Sequence, residues 1–246
     1  MSADVIPPIV IRGASSSPSA DTHGPAGPGL LCDRDGTIIE NRADYVLRSE
    51  HIRLLPGTVT ALRDAARAGF TIGIVSNQSP IGRGLLTENE AVELHHELLT
   101  RLAAADVPVA ASYLCPHTPA HHCPCRKPEP ALIRQAVSEL ALDPARTWYV
   151  GDAASDALAA RTAGVHGVLV RTGRGAAQTG ALTRHGLTDL PVVADLTAAV
   201  ELADRRLRTA QPWPGPAGTE PRPHHSADRS RCPAPGRSSP EPEVDA

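Results

Sequence analysis

A three-layer α/β fold, with a central parallel sheet covered on both faces, is predicted by three observations. Short apolar runs alternate with helical patterns through residues 29–210, the signature of strand and helix taken in turn. Helix start and stop signals stand between those runs, at Gly69, at Thr87 to Glu90 and at Gly164. The 24 prolines of the 246 residues are unevenly placed, with five in residues 1–28 and nine in residues 211–246, which leaves a middle of ordinary proline content and the size of one domain. Residues 1–28 and the tail 211–246 are therefore expected to be disordered, flanking a single domain of residues 29–210.

Leu30-Leu31-Cys32 reads as the first strand, and Val59 to Ala68 as a helix that Gly69 closes, since glycine readily takes the left-handed conformation past a helix end. Phe70 to Val75 is a second strand. Thr87-Glu88-Asn89-Glu90 has the form of a capping box and opens a helix to about Ala105. Tyr113-Leu114 ends a third strand, and Pro130 to Leu140 is a helix with proline acceptable in its first turn. Thr147 to Val150, the helix Ser155 to Ala163 and Val165 to Val170 follow. Arg171 to Gly175 has the composition of a small anion nest but is expected to be a plain loop at the sheet's edge. Val192-Val193 adds a short strand before a helix from Asp195 to Arg208. This order is that of a Rossmann-like sheet, which binds ligands beyond the carboxyl ends of its strands.

Composition excludes several classes. With 41% hydrophobic and 21% charged residues the chain is neither collagen-like nor wholly disordered. No apolar run approaches the roughly 20 residues of a membrane span, and Met-Ser-Ala-Asp lacks a basic n-region followed by an apolar h-region, so a cytoplasmic protein is expected. A net charge of −3 gives no reason to bind nucleic acid or acidic lipid. A monomer acting on a small molecule is expected.

Four places carry unusual chemistry. Asp33 and Asp35 follow the first strand, Ser76-Asn77-Gln78 the second, and Gly151-Asp152 the fourth, with Asp156 four residues on. Arg126-Lys127 precedes the helix from Pro130 to Leu140, and Lys127 is the lone lysine among 24 basic residues. A compact ammonium suits a confined oxyanion site that a wide guanidinium does not. Converging acids repel unless a cation sits among them, and Mg²⁺ is the natural hard ion for oxygen ligands.

A second constellation is Cys115, His117, Cys123 and Cys125. Cys-x-His-x₅-Cys-x-Cys offers four borderline or soft ligands, enough for a closed tetrahedral Zn²⁺ site of structural role. In an intracellular chain metal is favoured over a disulfide. His121 and His122 are competing ligands.

Asp33-Arg34-Asp35-Gly36-Thr37, Ser76-Asn77-Gln78, Lys127 and Gly151-Asp152 with Asp156 resemble, in order, the four motifs of the haloacid dehalogenase superfamily of phosphohydrolases. The resemblance spans roughly residues 28–175. It implies Asp33 as nucleophile and Asp35 as general acid and then base. Asp33, the Asp35 carbonyl and Asp152 would hold Mg²⁺, Ser76 and Lys127 would donate to the phosphoryl oxygens, and Asp156 would orient Asp152 or Lys127.

A zinc loop just before the lysine narrows the resemblance to the capless heptose bisphosphate 7-phosphatases and histidinol-phosphate phosphatases. Ser76-Asn77-Gln78-Ser79-Pro80-Ile81-Gly82-Arg83-Gly84 and Asp44-Tyr45-Val46 are similar to segments of the heptose enzymes. The short His117 to Cys123 spacing, and Ala153 where those enzymes often carry lysine, point to the histidinol-phosphate enzymes. The heptose reading is preferred, with a non-catalytic zinc-binding interaction module as the reading from another class. Substrate selection is assigned to Asp44, Tyr45, Asn77, Gln78, Ser79, Arg83 and Arg126, the last by its bidentate fork. His95, spaced with Val92, Leu99 and Leu102, is read as a packed or half-exposed histidine. Cys32, Cys232 and Trp213 are given no catalytic role.

Overall fold

The computed structural model describes residues 6–13 and 26–209. The expectations for Trp213, Cys232 and the proline-rich tail lie outside those residues. Seven strands, β1 (Ile9–Arg12), β2 (Gly27–Cys32), β3 (Thr71–Asn77), β4 (Val109–Cys115), β5 (Leu142–Gly151), β6 (His166–Val170) and β7 (Val192–Val193), form one sheet in the order β1-β4-β3-β2-β5-β6-β7. Every neighbouring pair is parallel except β1 with β4.

The helices are α1 (Thr58–Arg67), α2 (Ser79–Gly82), α3 (Glu88–Ala104), α4 (Ala131–Glu139), α5 (Ala154–Ala163), α6 (Gly175–Arg184) and α7 (Leu196–Thr209). Side chains alternate across a strand, and the two cores divide accordingly. Leu30, Cys32, Ile72, Ile74, Trp148 and Val150 pack beneath α1, α3 and α7. Leu31, Val75 and Tyr149, their immediate chain neighbours, pack on the other face with Leu132, Ile133 and Ala136 of α4 and Ala159 and Ala160 of α5.

Local signals explain the helix ends. Thr87 Oγ1 accepts from the Glu90 N–H at 3.2 Å, and the Thr87 N–H donates back to Glu90 Oε2 at 2.7 Å, so the capping box forms as expected. Gly69 sits at φ +90° two residues past the end of α1, and Gly164 at φ +84° caps α5.

Two expectations need correction. Residues 9–12, inside the segment expected to be disordered, form β1, whose Ile9 and Ile11 are buried against Ile81, Ala91 and Leu114. The Ile-Val-Ile run carries the signal, but the flanking prolines and serines dominate the composition. Gly175 begins a helix rather than ending a loop. The turn before it does not lie at the sheet's edge either, because β7 pairs outside β6. His95 is the packed histidine its spacing predicts, fully buried, and burial lowers its imidazole pKa to about 3.

Candidate active site

The carboxyl ends of β2, β3 and β5 deliver the expected acids and donors to one crevice, an open cleft of about 660 Å³ lined by Asp33, Asp35, Ser76, Lys127 and Asp156. Asp33 follows β2 directly, and its N–H donates to the Val150 carbonyl of β5 at 2.8 Å. The chain then turns tightly, with the Arg34 carbonyl accepting from the N–H groups of Ile38 and Ile39. Gly36 stands at φ +80° in that turn, where a Cβ would collide with the Asp152 carboxylate; only glycine meets both demands.

Arg34, which no part of the sequence reading used, is buried and grips Asp35 with two bonds, Nε to Oδ2 at 3.0 Å and Nη2 to Oδ1 at 3.1 Å. Gln78 Nε2 donates to Asp35 Oδ2 at 3.2 Å and to Ser76 Oγ at 3.0 Å. Asp35 is thereby held in one orientation, and Gln78 ties it to the hydroxyl of Ser76.

Lys127 Nζ lies within 3.0 Å of four oxygens: Asp156 Oδ1 at 2.7 Å, Tyr149 Oη at 2.7 Å, Asp33 Oδ1 at 2.9 Å and the Val75 carbonyl at 3.0 Å. An ammonium has only three N–H groups. The hydrogen bonds go to the Val75 carbonyl and the Tyr149 hydroxyl, both carboxylates meet the ammonium as ion pairs, and Asp33 Oδ1 has no hydrogen-bond donor of its own. Burial opposes the ammonium charge, but Asp156 and Asp33 outweigh it and hold the pKa above the usual lysine value. The Lys127 backbone is clamped by Asn77, whose Oδ1 accepts its N–H at 3.0 Å and whose Nδ2 donates to its carbonyl at 3.1 Å.

Asp152 is fully buried, and burial, then Asp33 and Asp156, push its carboxyl up to about 7 against the pull of Arg174. Asp156 accepts the Ala153 N–H at 3.0 Å, and burial raises its pKa despite Lys127. One carboxylate oxygen from each of Asp33, Asp152 and Asp156 falls within 4.8 Å of the other two. Three buried acids served by one buried ammonium and one loosely paired guanidinium, with an Asp33 oxygen lacking a donor, fit a hard divalent cation among the oxygens.

Cys115, His117, Cys123 and Cys125 also converge, all buried, with five measured separations of 3.2–3.7 Å between their Sγ and Nδ1 atoms. A disulfide would bring two sulfurs to about 2.05 Å, whereas ligands about 2.0–2.3 Å from a tetrahedral ion stand roughly 3.3–3.8 Å apart. Hydrogen bonds among the three thiols lower the pKa of Cys123 and raise those of Cys115 and Cys125, so the cluster shares its thiolate character among sulfurs close enough to hold one ion. His121 and His122 are exposed and outside this cluster, His121 Nδ1 being taken by Thr118.

The residues assigned to substrate selection divide. Tyr45, Asn77, Gln78, Ser79, Arg83 and Arg126 line the cleft. Asp44 does not; it is exposed and paired with Arg42 at 2.7 Å. Asn77 and Gln78 spend their polar atoms on Lys127, Asp35 and Ser76, which makes them supports for the site. Arg126 Nη1 donates to Ser79 Oγ at 2.7 Å and to the His117 carbonyl at 3.0 Å. Tyr149 and Arg174, missed in the sequence, touch the central acids and lysine. The Tyr-Val-Gly-Asp run puts Tyr149 three residues before Asp152, and the glycine-rich turn before α6 is the local sign of Arg174. Cys32 is buried beside Asp33, and both burial and that charge push its thiol upward, so it stays inert.

A HAD-hydrolase-like family model matches residues 124–199. The D-glycero-beta-D-manno-heptose-1,7-bisphosphate 7-phosphatase of Neisseria meningitidis is 32% identical over 157 residues, covering 64% of this chain and 82% of that protein. The Yersinia pestis enzyme of the same name is 35% identical over 176 residues, covering 67% and 93%. The crystal structure of the D,D-heptose 1,7-bisphosphate phosphatase of B. bronchiseptica, complexed with magnesium and phosphate, superposes with a TM-score of 0.67 at 32% identity, covering 72% of this chain and 99% of that one. These comparisons do not favour the histidinol-phosphate reading or the non-catalytic one. With four motifs meeting in one crevice, and relatives of this identity matched over most of their length, the chain belongs to the D-glycero-beta-D-manno-heptose-1,7-bisphosphate 7-phosphatase family of HAD-like hydrolases.

Proposed function

We propose that this protein removes the 7-phosphate from D-glycero-D-manno-heptose 1,7-bisphosphate through an aspartyl-phosphate on Asp33. The observation that carries this reading is the buried meeting of Asp33 with Lys127, Asp152 and Asp156 beside Asp35 and Ser76. Asp33 attacks phosphorus, and the sugar alkoxide leaves with the proton of Asp35. Asp35, now a carboxylate, takes a proton from water as that water attacks the phosphorus of phospho-Asp33, freeing phosphate and the Asp33 carboxylate. Lys127 and Ser76 donate to the phosphoryl oxygens, whose charge must be held through both steps. Asp33, Asp152 and the Asp35 carbonyl would hold Mg²⁺, which shields the anionic nucleophile from the anionic phosphoryl group.

Arg42, Arg83 and Arg126 line the same cleft and are assigned to the second phosphate of the sugar. Zn²⁺ is assigned to Cys115, His117, Cys123 and Cys125, where four protein ligands leave no open position for water. Its role is to fix the loop that ends at Arg126 and Lys127. The substrate assignment is tested by comparing phosphate release from heptose 1,7-bisphosphate and from histidinol phosphate under Mg²⁺. A large preference for the bisphosphate is expected; a preference for histidinol phosphate reverses the assignment.

A further inference from the structure

Arg174 is a charge of the crevice that the reaction above leaves idle. It stands on the turn between β6 and α6. Its N–H donates to Asp152 Oδ2 at 2.8 Å, and its guanidinium Nη2 lies 3.4 Å from Asp152 Oδ1. Its Nε is buried with no partner, and the side chain lines the cleft alongside Asp33, Ser76, Lys127 and Asp156.

The backbone of this turn is pinned. Thr172 Oγ1 donates to the Gly36 carbonyl at 2.6 Å, joining the turn to the loop after Asp33. Gly173, at φ +55°, presses on the Asp152 carboxylate and on Gly36, where a Cβ would find no room. The Arg174 backbone therefore stays beside Asp152 while its side chain, 36% exposed, has room to turn. A single contact of 3.4 Å from a group with five N–H donors is a loose pairing. A dianionic phosphoryl group next to Asp33 offers the same guanidinium a bidentate partner. A divalent cation on Asp152 opposes the guanidinium there by like charge.

We propose that Arg174 is a substrate-contacting residue whose guanidinium is shared between Asp152 and the phosphoryl group, competing with the divalent cation for the first and clamping the second. This deepens the phosphatase reading and rests on it.

The test uses the full chain and two binding titrations, Mg²⁺ alone and inorganic phosphate under saturating Mg²⁺, in wild type, Arg174→Ala and Arg171→Ala. Removing a competing, partly exposed cation is expected to tighten Mg²⁺ binding about threefold. Losing a charge-assisted clamp is expected to weaken phosphate binding about tenfold. Arg171, exposed three residues earlier on the same turn, is expected to move neither value when replaced. Arg174→Gln, which keeps most of the stem, is expected to give the same two signs, so a poorly folded alanine variant does not leave the matter open. Unchanged or weaker Mg²⁺ binding, or unchanged phosphate binding, overturns the proposal. Wild type that binds both ions yet releases no phosphate from heptose 1,7-bisphosphate removes the substrate assignment and leaves these two titrations to judge Arg174.

Discussion

Replacing His95 with leucine tests the account of the core behind the site. His95 of α3 is fully buried, and neither ring nitrogen has a hydrogen-bond partner. Burial, with a smaller push from Arg34, holds its pKa near 3, against an ordinary 6.5. A depressed pKa means the unfolded chain binds the proton first, so stability present above pH 6.5 is lost as pH falls toward 3. At pH 5 the unfolded state gains about 1.5 pH units of proton binding, roughly 2 kcal/mol, whereas at pH 7.5 the term is close to zero. His95→Leu removes the titrating group and two unpaired buried nitrogens while roughly keeping volume. Urea unfolding at pH 7.5 and pH 5 is the assay. The variant is expected to be at least as stable as wild type at pH 7.5, and its advantage is expected to grow by about 2 kcal/mol at pH 5. An equal loss in both proteins between the two pH values refutes the buried, neutral assignment.

Three further predictions follow from separate parts of the structure. Cys125→Ser removes one of four converging ligands, so metal analysis is expected to show less than one zinc per chain and thermal unfolding a lower Tm, because metal affinity is part of the folding free energy. Tyr149→Phe deletes the hydroxyl that accepts from Lys127 and donates to the Val75 carbonyl at 2.8 Å. A Lys127 N–H can then turn to Asp33 Oδ1 and tie up the attacking oxygen, so kcat is expected to fall about tenfold with KM little changed and about 1 kcal/mol of stability lost. Truncation to residues 28–210 removes β1 and uncovers the β4 edge. Loss of the buried Ile9 and Ile11 is expected to cost about 3–6 kcal/mol, read as a lower urea midpoint than that of the full chain.

Much of this was legible because the signals were local. The capping box at Thr87 and the glycine stop at Gly164 act through neighbouring backbone and appear where expected. The acids and donors at the strand ends converge because a parallel sheet puts all its carboxyl ends on one side. What was missed depends on distant partners. Arg34 becomes a grip on Asp35 only once the loop has folded back, and Tyr149 meets Lys127 across 22 residues. Arg174 lies 22 residues from Asp152, and nothing in its own segment announces that contact. Asp44 shows the converse: it adjoins cleft residues in sequence, but its exposed carboxylate pairs with Arg42 and stays outside the cleft lining.

The whole reaction turns on Asp33 as the nucleophile. Phosphate release from heptose 1,7-bisphosphate by Asp33→Asn, with its unfolding midpoint measured alongside, tests it most directly. Turnover is expected to disappear while the protein stays folded, since an amide keeps the shape and loses the attacking charge. A folded Asp33→Asn protein that still releases phosphate at the wild-type rate contradicts the account.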